Sequence, residues 1–495
     1  MILTCAEMRA LEARAFAEGI AAEKLMDEAG AEIAAAVRQF FPEPGKCLVF
    51  FGKGHNGGDA LVAARHLARR GWKVELRAAF GVEAWSSLTV RKQREFTEAA
   101  ARVAVVTRPE NGGALVVLDG LLGVGAGGAL REPVRAAARE INRLRREENA
   151  HVFAIDLPTG LDGDSGAADE DCVLADCTVT VGFAKAGLLA DAATRYVGRL
   201  CVAPLAALSA RATAGDFSTV ATARSLAALL PRRGFEKHKG ECGRVGLVAG
   251  SPGYIGAAVL CAEACLHAGA GLVTLYVTAA IYPHVVARIA PEIMVKVAAS
   301  PLDALSGRHD VLAIGPGLGA VDADVLKLIQ RAPQPMVVDA DALNVLARRT
   351  DLLERCAGPR LLTPHPGEMA RLDPAAATRP RAATVADFTT RFPVSLLLKG
   401  ARTVIGERGR ALSYNPTGNP GMATGGMGDV LTGVCAALAG QGLALYDAAR
   451  LGAWLCGRAA ELAVFGGAES EESLAATHVI ARFGEACKNL RAGCW

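Results

Sequence analysis

The chain has 495 residues, 51% of them hydrophobic and 21% charged, a composition that builds packed cores and excludes a disordered or low-complexity chain. Lysine and arginine outnumber aspartate and glutamate by only three (54 against 51), too small an excess for a nucleic-acid footprint. The length fits two or three domains. The first thirty residues carry Glu7, Arg9, Glu12, Arg14, Glu18 and Glu23, so they hold no unbroken apolar signal core. Residues 264–287 lack aspartate, glutamate, lysine and arginine over a length that raises a membrane span. Gly269, Gly271, Pro283 and His284 interrupt them, and they read instead as helix end, turn and strand in the core of a soluble domain. The 13 cysteines are scattered, with no Cys-x-x-Cys. They read as small buried thiols of a cytoplasmic protein rather than disulfides or zinc ligands, with Cys261 and Cys265 spaced for one helix face.

The first half alternates short apolar runs with helical spacing. Strands are expected at 47–51, 73–79, 115–118, 152–155 and 178–181, and helices at 60–70, 84–101 and 131–148. Such alternation argues for an α/β fold with a doubly wound parallel sheet. From Ala203 to Gly234 the pattern breaks into an alanine-rich, proline-punctuated stretch. Domains are therefore expected at 1–215 and 235–495, with 216–234 as linker. After it the alternation restarts, with strands at 244–249, 272–277, 311–314, 336–338, 396–398 and 403–405 and a helix at 257–268. The halves share no residue-level repeat and read as two unrelated α/β units fused.

In the first half, acidic residues follow three strands: Asp59 closing Gly52-Lys53-Gly54-His55-Asn56-Gly57-Gly58, then Asp119, then Asp156. Each neighbouring loop is poor in side chains: Gly57-Gly58, Gly123 to Gly128, and Pro158-Thr159-Gly160. In a parallel sheet ligands bind beyond the carboxyl ends of the strands, and glycine lets backbone N–H groups approach an anion. One such loop would be a tight turn with a capping aspartate; three together favour a site. Gly52, Gly54 and Gly57 also match the dinucleotide fingerprint, a weak signal alone.

These residues resemble the NAD(P)H-hydrate epimerase family over about residues 1–212. The resemblance implies a Rossmann-like architecture and a potassium ion held by Asn56, Asp119 and Thr159, oxygen donors suited to a hard cation. It implies that His55, Asn56, Gly57, Gly58 and Asp59, with Gly123, Val124, Gly125, Ala126, Gly127, Gly128 and Ala129, surround the substrate's phosphates and sugar. Asp156 would be the acid/base at the hydrated ring. His55 stands where the family usually has asparagine, Ala60 where glycine is common, and Thr159 where serine is common; the last change keeps the hydroxyl.

The second half carries more specific motifs. His238-Lys239-Gly240 precedes a strand ending in Gly250-Ser251, and Gly256-Ala257 opens the next helix. Gly315-Pro316-Gly317-Leu318-Gly319, Asp339-Ala340-Asp341-Ala342-Leu343-Asn344 and Thr363-Pro364-His365-Pro366-Gly367-Glu368 each follow a strand. Asn419 to Asp429 then leads into a helix, and its Gly425 to Gly428 can place N–H groups at that helix N-terminus, with Asp429 beside a bound phosphate. No Walker A sequence is present. His365, set between two prolines, is better placed for substrate contact than for a purely structural role.

These motifs resemble the ADP/ATP-dependent NAD(P)H-hydrate dehydratases, a branch of the ribokinase-like superfamily, from about His238 to Cys487. Both halves together are similar to the bifunctional NAD(P)H-hydrate repair enzymes. The resemblance implies that Ala257, Gly317, Gly319, His365 and Asp429 contact the hydrated nucleotide, and that Lys399, Gly400, Ala401, Arg402, Thr403 and Gly428 hold ADP or ATP with Mg²⁺. Asp429 would deprotonate the ring hydroxyl so that it attacks the terminal phosphate, turning a poor leaving group into a good one. The choice between ADP and ATP and between NADH- and NADPH-hydrate stays open, as do the roles of His238, Lys239 and Lys185. A homo-oligomer acting on small molecules is expected, with no nucleic-acid or membrane partner. The rival is a ribokinase-like kinase of a vitamin alcohol with a non-catalytic N-terminal binding domain, which would share the Gly425–Asp429 loop and its base.

Overall fold

Apolar runs bounded by glycine become the central strands of two separate sheets. The computed structural model describes residues 1–101, 113–125, 127–212, 217–319 and 323–494. The chain divides into two compact units, Met1–Phe217 and Ser218–Cys494.

The main sheet of the first unit has six parallel strands: β1 (Lys46–Phe51), β2 (Lys73–Ala78), β3 (Leu115–Gly120), β4 (His151–Ile155), β5 (Cys177–Val181) and β6 (Arg199–Ala203). Their order is β2-β1-β3-β4-β5-β6. In β1, β3 and β4 the apolar run is buried without a break, as a strand covered on both faces requires. The order reverses at β1, which has β2 on one side and β3 on the other, so a crevice opens at the carboxyl ends of β1 and β3. The helices are α1 (Cys5–Ala17), α2 (Ala22–Phe40), α3 (His55–Ala68), α4 (Ser87–Ala101) and α5 (Val134–Glu147). Helix α3 starts five residues before the expected 60. His55 to Asp59 are therefore its first turn and not a loop. Gly57 serves close packing there, because a β-carbon would overlap the Gly52 carbonyl oxygen. Helices α1 and α2 and strand β6 were not expected. A capping box at Thr4 and Glu7 starts α1, which buries Cys5, Met8, Leu11 and Ala15.

The second unit is a ten-stranded sheet: β7 (Thr219–Val220), β8 (Arg244–Val248), β9 (Leu272–Val277), β10 (Met294–Val297), β11 (Val311–Ile314), β12 (Met336–Val338), β13 (Arg360–Leu362), β14 (Ser395–Leu398), β15 (Thr403–Glu407) and β16 (Arg410–Asn415). The order is β10-β9-β8-β11-β12-β13-β14-β15-β16-β7. All neighbours run parallel except β14–β15 and β15–β16. The switch point lies between β8 and β11.

The expected boundary at 215 falls on residues 213–216, outside the described residues. The rest of the expected linker needs correction. Its residues 219–220 form β7 beside β16, and Leu226 is fully buried in the second core. A two-strand pairing and one buried leucine were too short to register against an alanine-rich background. Residues 264–287 do form helix end, strand and a short helix, and among the described residues no helix is long and apolar enough to cross a membrane. The thirteen cysteines are free, and Cys261 and Cys265 lie in the core.

Three helices of the second unit position or support its strand-end loops: α6 (Ile255–His267), α7 (Met427–Gly440) and α8 (Leu445–Phe465). Helix α7 lies against α6 through Gly433, where a β-carbon would overlap the Cys261 carbonyl oxygen. That close approach sets the height of the α7 N-terminus. Gly433→Ala should destabilise the second unit by about 1–3 kcal/mol through overpacking. Differential scanning calorimetry of the full chain should show the transition of residues 218–494 moving down while that of residues 1–217 stays. An unshifted transition would mean that the two helices part without cost.

Candidate active sites

The first site forms where β3 and β4 end beside the start of α3. Asp119 lies in β3, hydrogen-bonded in register beside β1 and β4, and is fully buried. Thr159 donates to it twice, from its backbone N to Oδ2 at 2.8 Å and from Oγ to Oδ1 at 2.7 Å, and the Leu121 N–H adds a third contact at 3.3 Å. Burial pushes the Asp119 carboxyl up to about 6, against these donors, which favour its ionised form. The Thr159 hydroxyl accepts from Leu122 N at 3.3 Å, and Asn56 Nδ2 donates to Leu122 O at 2.8 Å. Leu122 thus bridges Asn56 and Thr159, and Thr159 in turn joins them to Asp119, the third expected potassium ligand.

Asp156 follows β4 with φ 67°, a left-handed backbone unusual for a residue with a side chain. Its Oδ1 faces Val181 N (3.1 Å), Thr180 Oγ (3.4 Å) and the Lys185 ammonium. Among the described residues its Oδ2 accepts from Val124 N alone, at 3.3 Å. Gly123 separates Asp156 from Asn56: a β-carbon there would lie 3.3 Å from Asp156 Oδ2 and 3.3 Å from Asn56 Oδ1. Beyond it, Gly125, Gly127 and Gly128 face open space and Ala129 is exposed, so this loop is the rim of the site. Ala126 lies outside the described residues. His55 is exposed and Asp59 half-buried at the start of α3, with Gly57 and Gly58 buried. Burial first, and then the neighbouring Asp156 and Glu12, hold the Asp59 carboxyl well above the usual carboxylate range, with Lys185 opposing.

The residue reading missed three side chains here. Arg9 on α1 donates to Val124 O at 2.7 Å and ties that helix to the rim. Glu12, one turn further, is raised by burial and by Asp156. Lys185 is 1% exposed against Asp156. Their separation in sequence from any glycine loop hid the first two. For Lys185, whose role the sequence left open, the available signal was a lone lysine four residues past the strand that ends at Val181.

The second site lies at the carboxyl ends of β8, β11 and β12. Gly317 (φ 61°) faces Ala257 at the start of α6; a β-carbon on it would come within 2.8 Å of the Ala257 methyl. Gly319 (φ 68°) lies opposite Ser251 and donates its N–H to Asp341 at 2.8 Å. The two loops therefore form one narrow wall, with no room for side chains.

Asp429 stands in the first turn of α7, after Gly426 in a left-handed cap (φ 89°). Burial, then Asp339 and Asp341, raise its carboxyl to about 6, with Lys399 opposing. Lys399 pairs with Asp339 at 2.8 Å and lies 3.7 Å from Glu368. Burial works against its charge, but Asp339, Glu368 and Asp429 outweigh it and leave it above the ordinary lysine value. Thr432, one turn along α7, donates to the other oxygen of Asp339 at 2.8 Å. Gly428 fits between them: its β-carbon would lie 3.4 Å from Lys399 Nζ and 3.6 Å from Asp339. The result is an ammonium held under a glycine turn, a place where a phosphate's charge is met.

Among the other expected residues, Thr403 donates from Oγ to Gly400 O at 3.0 Å and closes the turn after Lys399. Gly400 and Ala401 are exposed on that turn, whereas Arg402 is buried (3% exposed) and is turned away from open solvent. The His365 ring caps a short helix, accepting at Nδ1 from Gly367 N (3.0 Å) and Glu368 N (3.4 Å), and its side chain is half-exposed. His238 and Lys239 lie on an exposed turn where His238 N donates to Glu241. Asp339, Glu368 and Thr432 were inside or beside the quoted motifs but carried no assigned role. Only the fold reveals that they converge on Lys399.

The sequence profile of a family described as NAD(P)H-hydrate dehydratase matches residues 245–480, and one described as YjeF-related protein N-terminus matches residues 22–187. The bifunctional NAD(P)H-hydrate repair enzyme Nnr of Moorella thermoacetica is 38% identical, over 93% of this chain and 92% of its own. That of Coxiella burnetii is 35% identical, over 94% and 95%. Among solved structures, the ADP/ATP-dependent NAD(P)H-hydrate dehydratase of Bacillus subtilis co-crystallised with ATP/Mg²⁺ is 28% identical, covering 54% of this chain and 97% of its own with a TM-score of 0.47. Both units are matched, and the curated relatives align from end to end; the chain belongs to the family of bifunctional NAD(P)H-hydrate repair enzymes.

Proposed function

We propose that the chain restores hydrated NADH and NADPH in two steps. Residues 1–217 interconvert the R and S epimers of the hydrate. Residues 218–494 dehydrate the S epimer with ADP or ATP, releasing AMP or ADP and phosphate. The observation that carries the reading is the cluster of Asp429, Lys399 and the Gly425–Gly428 turn at one helix N-terminus.

In the second unit Asp429 takes the proton of the ring hydroxyl as that oxygen attacks the terminal phosphate. The glycine N–H groups and Lys399, fixed by Asp339 and Glu368, receive the charge of the transferring phosphoryl group. The ring nitrogen lone pair then expels phosphate, and the neighbouring ring carbon gives up a proton to the departing phosphate, which forms the ring double bond of the reduced nicotinamide. Lys399, Gly400, Ala401, Arg402, Thr403 and Gly428 form the nucleotide side, and Ala257, Gly317, Gly319 and His365 the hydrate side. Mg²⁺, arriving with the nucleotide, would supply further positive charge to the phosphates on the side lined by Lys399 and Gly428. An in-line transfer accepts the hydroxyl from one face of the ring, so the other epimer must first be converted.

In the first unit Asp156 is the acid/base at the carbon beside N1. Asn56, Asp119 and Thr159 would hold potassium. The donors are all oxygen, and Asp119 is a fully buried carboxylate with no cationic partner among the described residues, an arrangement that a hard monovalent cation completes. When bound, it supplies positive charge for the substrate's oxygens at the strand ends. A cytoplasmic location belongs to the same proposal and accords with thirteen free cysteines. So does a homo-oligomer, which analytical ultracentrifugation tests.

Asp429→Asn should bind ADP as the parent does and lose dehydration by about 10²–10⁴-fold or more, because an amide takes no proton. In the parent, dehydration should fall as pH drops below about 6, the value to which Asp429 is raised, since only its ionised form is a base. Both are read from recovery of reduced-nicotinamide absorbance with release of free phosphate; a phosphorylated product instead would favour the kinase rival. Parent-like turnover in the Asn variant would remove Asp429 from the mechanism.

Asp156→Asn in the full chain, given mixed epimers and ADP, should stall once the S epimer is spent, apart from slow spontaneous interconversion. Consumption of both epimers at the parent rate would end the acid/base reading of Asp156. Replacing potassium by a bulky organic cation at constant ionic strength should weaken hydrate binding to the first unit. Equal affinity in both salts refutes the potassium site.

A further inference from the structure

We infer that Lys185 is the positioning residue of the first site: it fixes which oxygen of Asp156 works on the substrate. The inference rests on the reading of Asp156 as the acid/base. Among the described residues the three protons of the Lys185 ammonium meet three acceptors: Asp156 Oδ1, Thr180 Oγ at 3.1 Å and Val181 O at 2.8 Å. With its protons engaged by these groups, Lys185 acts through Asp156.

The two oxygens of Asp156 are unequal as a result. Oδ1 is surrounded by Lys185, Thr180 and Val181 N. Oδ2 meets one backbone N–H at 3.3 Å and faces the gap that Gly123 leaves open toward Asn56. Oδ2 is the oxygen free to exchange a proton. The side chain holds this attitude on a left-handed backbone, which is strained for aspartate and persists where its surroundings enforce it. Lys185 is itself anchored. Ala184–Lys185 pair in parallel with Ile2–Leu3, Leu3 opposite Lys185, so the chain's first residues brace the site.

The test is the initial rate of epimer interconversion by the full chain without nucleotide, corrected for the spontaneous rate. Lys185→Met keeps the length and apolar stem of the side chain and removes the charge. It should lower kcat by about 10²-fold or more, the range for misplacing one acid/base group, while KM changes by less than about threefold. Lys185→Ala leaves a slot that ethylammonium fills, and added ethylammonium should restore part of the lost rate to Lys185→Ala but none to Asp156→Asn. Raised KM at unchanged kcat, or no restoration by ethylammonium, overturns the inference; the second result decides the matter even where Lys185→Met folds poorly. A Lys185→Met rate near the parent's alongside an inactive Asp156→Asn overturns the role of Lys185 and leaves Asp156 as acid/base. Parent-like rates in both variants overturn the reading of Asp156 itself.

Discussion

A carboxylate buried at the carboxyl end of a parallel strand is costly unless donors or a cation meet it, and both sites are built around that constraint. In the first unit Asp156 is matched by Lys185, whose side chain is as buried as its partner. In the second, Asp339 is matched by Lys399 and by Thr432. Asp119 differs: it is met by a hydroxyl and two backbone N–H groups, with no basic side chain among the described residues. That difference separates carboxylates paired with an ammonium from one met by neutral donors alone.

Backbone strain falls at the same places. Among the described residues, two of the three non-glycine residues with positive φ are Asp156 and Ala340, the latter directly after Asp339. Each marks a sharp departure from a strand into the site. The ion pairs at these turns, Asp156 with Lys185 and Asp339 with Lys399, hold the chain in a conformation it would otherwise leave. Strain and charge pairing are thus one device. The turn aims the carboxylate, and the lysine keeps it aimed.

Glycine does two different jobs around these centres. Gly125, Gly127 and Gly128 at the rim of the first site face open space, which leaves backbone N–H groups accessible. Gly317 and Gly433 instead sit where a β-carbon would crowd Ala257 or the Cys261 carbonyl. Further back, α8 supports the Asn419–Asp429 segment: Glu461, buried against Arg458, accepts from Gly418 N at 2.9 Å, and Asn419 donates to the Ala460 carbonyl at 3.0 Å. A glycine-rich turn is flexible by composition, and a buried helix carrying an ion pair fixes its entry.

The sequence by itself determined the doubly wound α/β class, most central strands, and the glycine and aspartate motifs around Asp119, Asp156 and Asp429. Each of those is a local signal: an apolar run buried on both faces, or a turn whose backbone only glycine tolerates. Helix α8 escaped because it is buried nearly all round and shows no amphipathic face. Helices α1 and α2 were passed over in a stretch read only for the absence of a signal core. Only the tertiary structure decided that α3 begins at His55, that 219–230 belongs to the second unit, and that Arg9, Glu12 and Lys185 reach the first site. Lys185 lies 29 residues from Asp156, and Lys399 lies 60 from Asp339. Parallel strands bring such distant residues side by side through long crossovers, and a one-dimensional reading carries no record of which strand ends become neighbours.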